Sequence, residues 1–305
     1  MTHFLITGVS GLLGLNFALA VDGKKHQVTG VANTTPLTWA TFKFVQAELT
    51  EPGVVEKLIE TYQPDVFLHC AALANVDACE TDPALARKIN ADLPGDIAAT
   101  CRQHSLPLIH ISTDAVFDGA RGNYIEEDEP HPLGVYASTK LAGEQAVLAA
   151  NPQALIARVN FYGWSAAGSR SLAENFVHQL EQGKSMMGFT DVWFCPMNVL
   201  DLSTLLVEMA EKGLSGIYHA VGPEAMSKYD FGTRIANQFG FDPNLIHPVS
   251  VKESGLKAAR SPNLTLCTDK LRRQLQHDLP DFSAGLKKFH DQYRRGYPQY
   301  IQSLA

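Results

Sequence analysis

His3 to Thr7 is a compact apolar run of strand length, and it leads straight into Thr7-Gly8-Val9-Ser10-Gly11-Leu12-Leu13-Gly14 and a helical stretch through about Val21. A G-x-x-G-x-x-G turn between a strand and a helix restricts the fold more than anything else in the chain. Gly8 and Gly11 permit a tight turn and close approach of backbone to a pyrophosphate, Gly14 lets helix and strand pack, and the free N–H groups of the helix start attract negative charge. A bare glycine turn is only moderate evidence, but this one sits in the strand-to-helix context that dinucleotide binding requires. Ser10, Leu12 and Leu13 then belong to the same cofactor-binding turn as Gly8 and Gly11.

Strand and helix alternate from there. Gln27 to Ala32, Phe42 to Ala47, Asp65 to Cys70 and Leu108 to Ile111 read as strands, with a helix from Pro83 to His104 between the last two. This is the signature of a doubly wound α/β protein with a parallel sheet, and the alternation places the Leu108 strand beside the first one. Ala71 and Ala72 close the fourth strand, and their small side chains let the chain pass close to a cofactor, although packing alone also accounts for them.

The Leu108 strand ends abruptly in Ser112, Thr113 and Asp114, hydroxyls and an acid at a carboxyl edge, where open parallel sheets place their ligands. Beyond a polar loop, Tyr136 and Lys140 fall four apart in a segment of good helix formers from Ala137 to Ala150, so they share a helical face. An unperturbed phenol titrates near ~10, and an ammonium beside it favours the phenolate and lowers that value. Thr113 can orient a carbonyl oxygen toward Tyr136, which then protonates it. The spacing alone is weak evidence; with the strand before it, the constellation is much stronger.

Ser112-Thr113 before Tyr136-x-x-x-Lys140 resembles the extended short-chain dehydrogenase/reductase superfamily. The run Ser112 to Gly119, the acidic loop ending in Pro132-Leu133, and Lys140-Leu-Ala-Gly-Glu144 are most similar to the dTDP-4-dehydrorhamnose reductase branch. The resemblance implies a Rossmann-type doubly wound parallel sheet with a smaller, discontinuous C-terminal substrate lobe. It implies an NAD(P)H-dependent reductase of a nucleotide-linked 4-keto sugar, with Thr113, Tyr136 and Lys140 catalytic and the last two also holding the cofactor. Glu48 and Leu49 stand where relatives have an acid beside the adenine, although Thr50 and Pro52 also read as a plain helix start. Asn90 matches an asparagine thought to hold the sheet and a water near the lysine, though an asparagine within a helix is equally compatible with facing solvent. For substrate the resemblance points to Asp114, to Phe161 where relatives often have a sugar-stacking tryptophan, and to Arg260 against a diphosphate, while a lone loop arginine suits a surface charge as well.

The expected borders are 1–163 for the dinucleotide-binding domain, with 190–220 returning to it, and 164–189 with 221–305 for the substrate lobe. Cofactor choice is open. The carboxylate expected at the end of the second strand is replaced by Asn33, which cannot repel a 2'-phosphate, so both dinucleotides should bind with a slight lean to NADP. Lys24, Lys25 or Lys43 could reach such a phosphate. The five acids Asp118, Glu126, Glu127, Asp128 and Glu129 read as a solvated loop surface.

At 305 residues and a net charge of -7, with no basic run, the chain suits a small-molecule partner rather than nucleic acid or an anionic membrane. Five scattered cysteines without a C-x-x-C suggest neither disulfides nor a metal site, and no apolar run approaches a membrane span, so the expected location is cytoplasmic. A homodimer stays open. Two rivals remain: a nucleotide-sugar epimerase, and a non-catalytic NADP-binding subunit, since the branch also resembles the regulatory beta subunit of methionine adenosyltransferase. A dehydratase is disfavoured, because Thr113-Asp114 is followed by Ala115 and not by the acid that would expel water.

Overall fold

A computed structural model describes every residue except 24, 39 and 254–260, so Lys24 and Arg260 lie outside the described residues. The chain opens β1 (Thr2–Thr7), α1 (Leu12–Val21), β2 (His26–Ala32), β3 (Lys43–Gln46), α2 (Val54–Tyr62) and β4 (Val66–His69). It continues α3 (Val76–Thr81), α4 (Pro83–Arg87), a π turn (Lys88–Asp92), α5 (Leu93–Gln103), β5 (Leu108–Thr113), α6 (Gly134–Ala150) and β6 (Leu155–Val159). Then follow β7 (Phe161–Tyr162), α7 (Leu172–Glu181), β8 (Met186–Phe189), β9 (Trp193–Phe194), β10 (Met197–Asn198), α8 (Val199–Glu211) and β11 (Gly216–Ala220). The last elements are β12 (Met226–Ser227), α9 (Lys228–Phe239), β13 (Ile246–Val249), α10 (Asp269–Leu275), α11 (Phe282–Arg294) and α12 (Tyr297–Gln302).

Among the described residues, seven strands pair in parallel in the order β11-β6-β5-β4-β1-β2-β3. The Leu108 strand is therefore not beside the first. The chain crosses from β3 back to the free edge of β1, where β4 settles, and each later strand adds outward from it. The reversal between β1 and β4 is the switch point at which such sheets bind ligands, and Thr7, His69 and Thr113 end their strands along that edge.

Apart from the edge strand β3, the strands are largely buried on both faces, as parallel sheets require. Phe4, Ile6, Leu68 and Ile111 join one core with α1 and α8, while Leu5, Phe67, Leu108 and Ile156 join the other with α2, α5 and Val147 of α6. Alternate residues of one strand thus supply the two layers. Outside the large sheet, β8 pairs with β13 and β9 with β12, with α9 packed beside them and α7 against α9. No helix among the described residues is long and apolar enough to cross a membrane.

Two local departures from expectation bear on the site. The helix expected from Pro83 to His104 is interrupted by the π turn, and Asn90 in that turn is fully buried rather than turned to solvent. In the acidic loop, Glu127 and Glu129 are exposed, but Glu126 is buried and accepts the His219 backbone N–H at 3.0 Å. A carboxylate with such a partner holds the loop down, so that part of the solvated-surface reading is corrected.

Candidate active site

Thr113 ends β5, and Tyr136 stands in the first turn of α6, whose start precedes the expected Ala137 by three residues. The Thr113 hydroxyl lies beside the Tyr136 phenol, close enough to favour its ionised form. One turn further on, Lys140 is only 3% exposed and donates to the Ile111 carbonyl in β5 at 2.7 Å. This corrects the electrostatic expectation for the phenol. The ammonium is turned into the sheet, and burial pushes Tyr136 up to about 12, with Asp114 and Cys79 adding to the rise against the Thr113 hydroxyl. At neutral pH the phenol therefore keeps its proton. Burial in turn draws Lys140 down to about 8, against the opposing pull of Glu144 and Cys70.

The helix lies this close to its neighbours because Gly143 permits it: a Cβ there would come within 2.1 Å of the Asn90 carbonyl oxygen. Asn90 ties the pieces together, accepting the Leu73 N–H at 2.8 Å and donating to the Leu73 carbonyl at 3.1 Å and to Thr139 Oγ1 at 3.2 Å. A π turn is a known way of redirecting one side chain at a functional site. Here it turns an amide inward between α6 and the segment after β4.

Asp114 is buried beside this pair, accepting from Asn160 Nδ2 at 2.6 Å and from Thr113 Oγ1 at 3.1 Å. Desolvation raises it to about 6, opposed first by the Asn160 and Thr113 hydrogen bonds and then by Lys228. Phe161 in β7 is half-buried and packs against the main core.

At the other end of the edge, Gly8 has φ +67°, and a Cβ on it would meet the Ala71 Cα and N at 2.7 Å. The turn and the segment after β4 thus touch backbone to backbone. Gly11 caps α1 with no side-chain hydrogen bond and no acid in the first turn, so the helix presents its free N–H groups between Ser10, Gly11 and Leu12, all outside the core, and Leu13, which is inside it. Ala72 is exposed and Ala71 half-buried, with its N–H near Thr7 Oγ1 at 3.4 Å. Asn33 follows β2 and donates to Glu48, while Leu49 is buried beneath. These observations show an open cradle of backbone with an uncapped helix start, the chemistry that fits a dinucleotide diphosphate.

A buried chain that no sequence motif announces lies behind the pair. Ser112 Oγ donates to Glu144 Oε1 at 2.5 Å, and Arg158 grips the same carboxylate through Nε at 3.0 Å and Nη2 at 2.8 Å. Arg158 also stacks over Phe117 at 5.0 Å. Glu144 was visible as the last residue of the Lys140 motif, one turn past the lysine, and Arg158 as a lone charge inside an apolar strand; either could have flagged the pair. Asn160 gave no such signal. His69 and His110 were equally missed: their rings stack at 5.3 Å beneath the edge, with His69 Nδ1 at 2.7 Å from Thr7 Oγ1. Burial draws His69 down to about 3 and lowers His110, so both are neutral.

Residues 1–295 match the family model described as the RmlD substrate binding domain. A probable low-salt glycan biosynthesis reductase of Haloferax volcanii is 33% identical over 299 residues, covering 95% of this chain and 99% of that protein. Methionine adenosyltransferase 2 subunit beta of Pongo abelii is 32% identical over 291 residues, covering 93% and 86% respectively. Among solved structures, dTDP-4-dehydrorhamnose reductase from Bacillus anthracis in complex with NADP superposes with a TM-score of 0.85 at 25% identity, covering 95% of this chain and 99% of that one.

Proposed function

Because the chain belongs to the RmlD substrate binding domain family, an extended short-chain dehydrogenase/reductase type of oxidoreductase, we propose that it is an NAD(P)H-dependent reductase of a nucleotide-linked 4-keto sugar. The observation that carries this reading is the contact of Thr113 with a protonated Tyr136 at the carboxyl end of β5, along the same edge as the uncapped start of α1. In this assignment residues 1–163 with 190–220 hold the cofactor, and 164–189 with 221–305 close over the sugar nucleotide.

A reduced nicotinamide, when bound, supplies a hydride for the sugar carbonyl carbon. The backbone at Gly8, Ser10, Gly11 and Leu12 receives the diphosphate, and Ala71 and Ala72 form the floor beside it. Thr113 hydrogen-bonds the carbonyl oxygen and holds it against Tyr136. The phenol then gives its proton to that oxygen, turning C=O into an alcohol. A phenol raised to about 12 is well suited to this direction, since it stays protonated until the oxygen becomes basic. Lys140, one helical turn from Tyr136 and charged below about pH 8, holds the nicotinamide ribose rather than acting on the phenol. Asn160 and Asp114 flank the sugar side of the pair.

The test is oxidation of NADH or NADPH in the presence of a nucleotide-linked 4-keto-6-deoxy sugar, with the alcohol identified by mass. Consumption of both in equal amounts supports the reading. The likeness to methionine adenosyltransferase 2 subunit beta favours a second reading, a dinucleotide-binding regulatory subunit. Tight dinucleotide binding without turnover on any keto sugar would establish that one instead.

A further inference from the structure

Asn33 carries no charge, yet the end of β2 is not a neutral place. Glu48, two residues beyond β3, reaches across the β2–β3 pair, and its Oε2 accepts from Asn33 Nδ2. Its Oε1 accepts the Thr50 N–H at 3.0 Å and the Thr50 hydroxyl at 2.9 Å. Hydrogen bonds of this kind favour the ionised form, and they hold Glu48 below the ordinary carboxylate range, the Thr50 amide contributing most. Gln46 donates to the Asn33 carbonyl at 2.8 Å, and the register sets Ala32 opposite Gln46, so both segments leave the sheet together at its carboxyl edge. In this fold the adenosine ribose lies at that edge, beside the end of the second strand.

We propose that Glu48, held by Asn33 and Thr50, reads the adenosine ribose and discriminates against a 2'-phosphate, so that this protein prefers NAD(H) to NADP(H). The inference rests on the dinucleotide reading given above. The acid missing from the end of β2 is supplied from the end of β3. Glu48 engages one of the two amide N–H groups of Asn33, so the carboxylate and not the amide sets the charge that a ribose meets here. A 2'-hydroxyl can donate to either oxygen, whereas a phosphate monoester, with roughly -1.5 to -2 charges, donates poorly and meets a fixed anion. Of the cations considered for a 2'-phosphate, Lys43 pairs with Thr29, three residues back from Gln46 and so roughly 10 Å along the strand from the edge. Lys88 acts on Glu48 itself.

Calorimetric titration of the wild type and Glu48→Gln with NADH and NADPH tests this. The wild type is expected to bind NADH roughly tenfold more tightly or better, with the gap narrowing as salt rises. Glu48→Gln, an isosteric change at a partly exposed side chain, is expected to close most of the gap by tightening NADPH. A wild type that binds the two equally or favours NADPH overturns the proposal. So does a variant that loses affinity for both in the same proportion, since the carboxylate then meets the adenine and not the ribose; in either case the reductase reading stands. Failure of both dinucleotides to bind the wild type overturns both.

Discussion

Glu144 and Arg158 form a two-pronged ion pair in which each side chain is only 2% exposed. Glu144 lies one turn beyond Lys140 on α6, and Arg158 lies on β6 opposite Ser112 of β5, so the pair pins the helix that carries Tyr136 and Lys140 to the strands that carry Thr113. Breaking one side of such a pair leaves a buried charge without a counter-ion, which typically costs about 3–5 kcal/mol, whereas removing both can be nearly neutral. Glu144→Gln is therefore expected to lose several kcal/mol in urea unfolding, and Glu144→Gln with Arg158→Met to recover much of it. A double variant no more stable than the single one would show that the pair's role lies elsewhere.

Tyr136→Phe removes one oxygen and leaves the helix intact. Losing a positioned proton donor commonly lowers turnover about 10²- to 10⁴-fold. Because the diphosphate cradle is made of backbone around Gly8 and Gly11, dinucleotide affinity should stay near that of the wild type. Steady-state kinetics beside calorimetry separates the two, and near-normal turnover would remove Tyr136 from the assigned role.

Gly11→Val probes the other half. The nearest atom to a Cβ at Gly11 is the Gly8 carbonyl oxygen at 3.1 Å, and φ there is -78°, so a side chain fits after a shift of a few tenths of an ångström. The branched group then projects over the free N–H groups of α1, where a pyrophosphate must approach. The variant should fold with an unchanged far-ultraviolet spectrum and lose measurable dinucleotide binding. Retained affinity in a folded variant would mean that the diphosphate lies elsewhere.

The parts of this molecule that were legible in the sequence are those in which neighbours in space are neighbours along the chain. The glycine turn from Gly8 to Gly14 and the Tyr136–Lys140 pair are read off helix and turn geometry without knowledge of the sheet. The burial of Glu126 was not legible, because its partner is the backbone N–H of His219, 93 positions away. The same holds for Glu144 with Arg158, and for Glu48 with Asn33, which meet only because β2 and β3 pair in one register. The π turn at Asn90 depends on α6 coming close enough, at Gly143, to need it. The Leu108 strand was set beside β1 because alternation gives the layers of such a fold but not which edge each crossover takes.

Lys140 yields a prediction in which stability and function move in opposite directions. Its ammonium titrates at about 8 in the folded protein because burial disfavours the charge, whereas an unfolded lysine titrates near ~10.4. Between those values the unfolded chain binds more protons than the folded one, so this group's contribution makes stability rise as pH increases through the window. Below about pH 8 both states are charged, and the contribution is flat. Function runs the other way: a site that uses the Lys140 charge loses it over the same range, so turnover should fall as pH rises through about 8. Of the groups around Lys140, Cys70 is pushed up to about 12 and His69 and His110 are both neutral, so none of these three titrates in this window. Lys140→Met should abolish the rise in urea stability between about pH 8 and 10 relative to the wild type, and should reduce turnover at every pH. A wild type whose turnover holds level to pH 10, or a variant that keeps the same stability slope, would show that the ammonium is not the group titrating there.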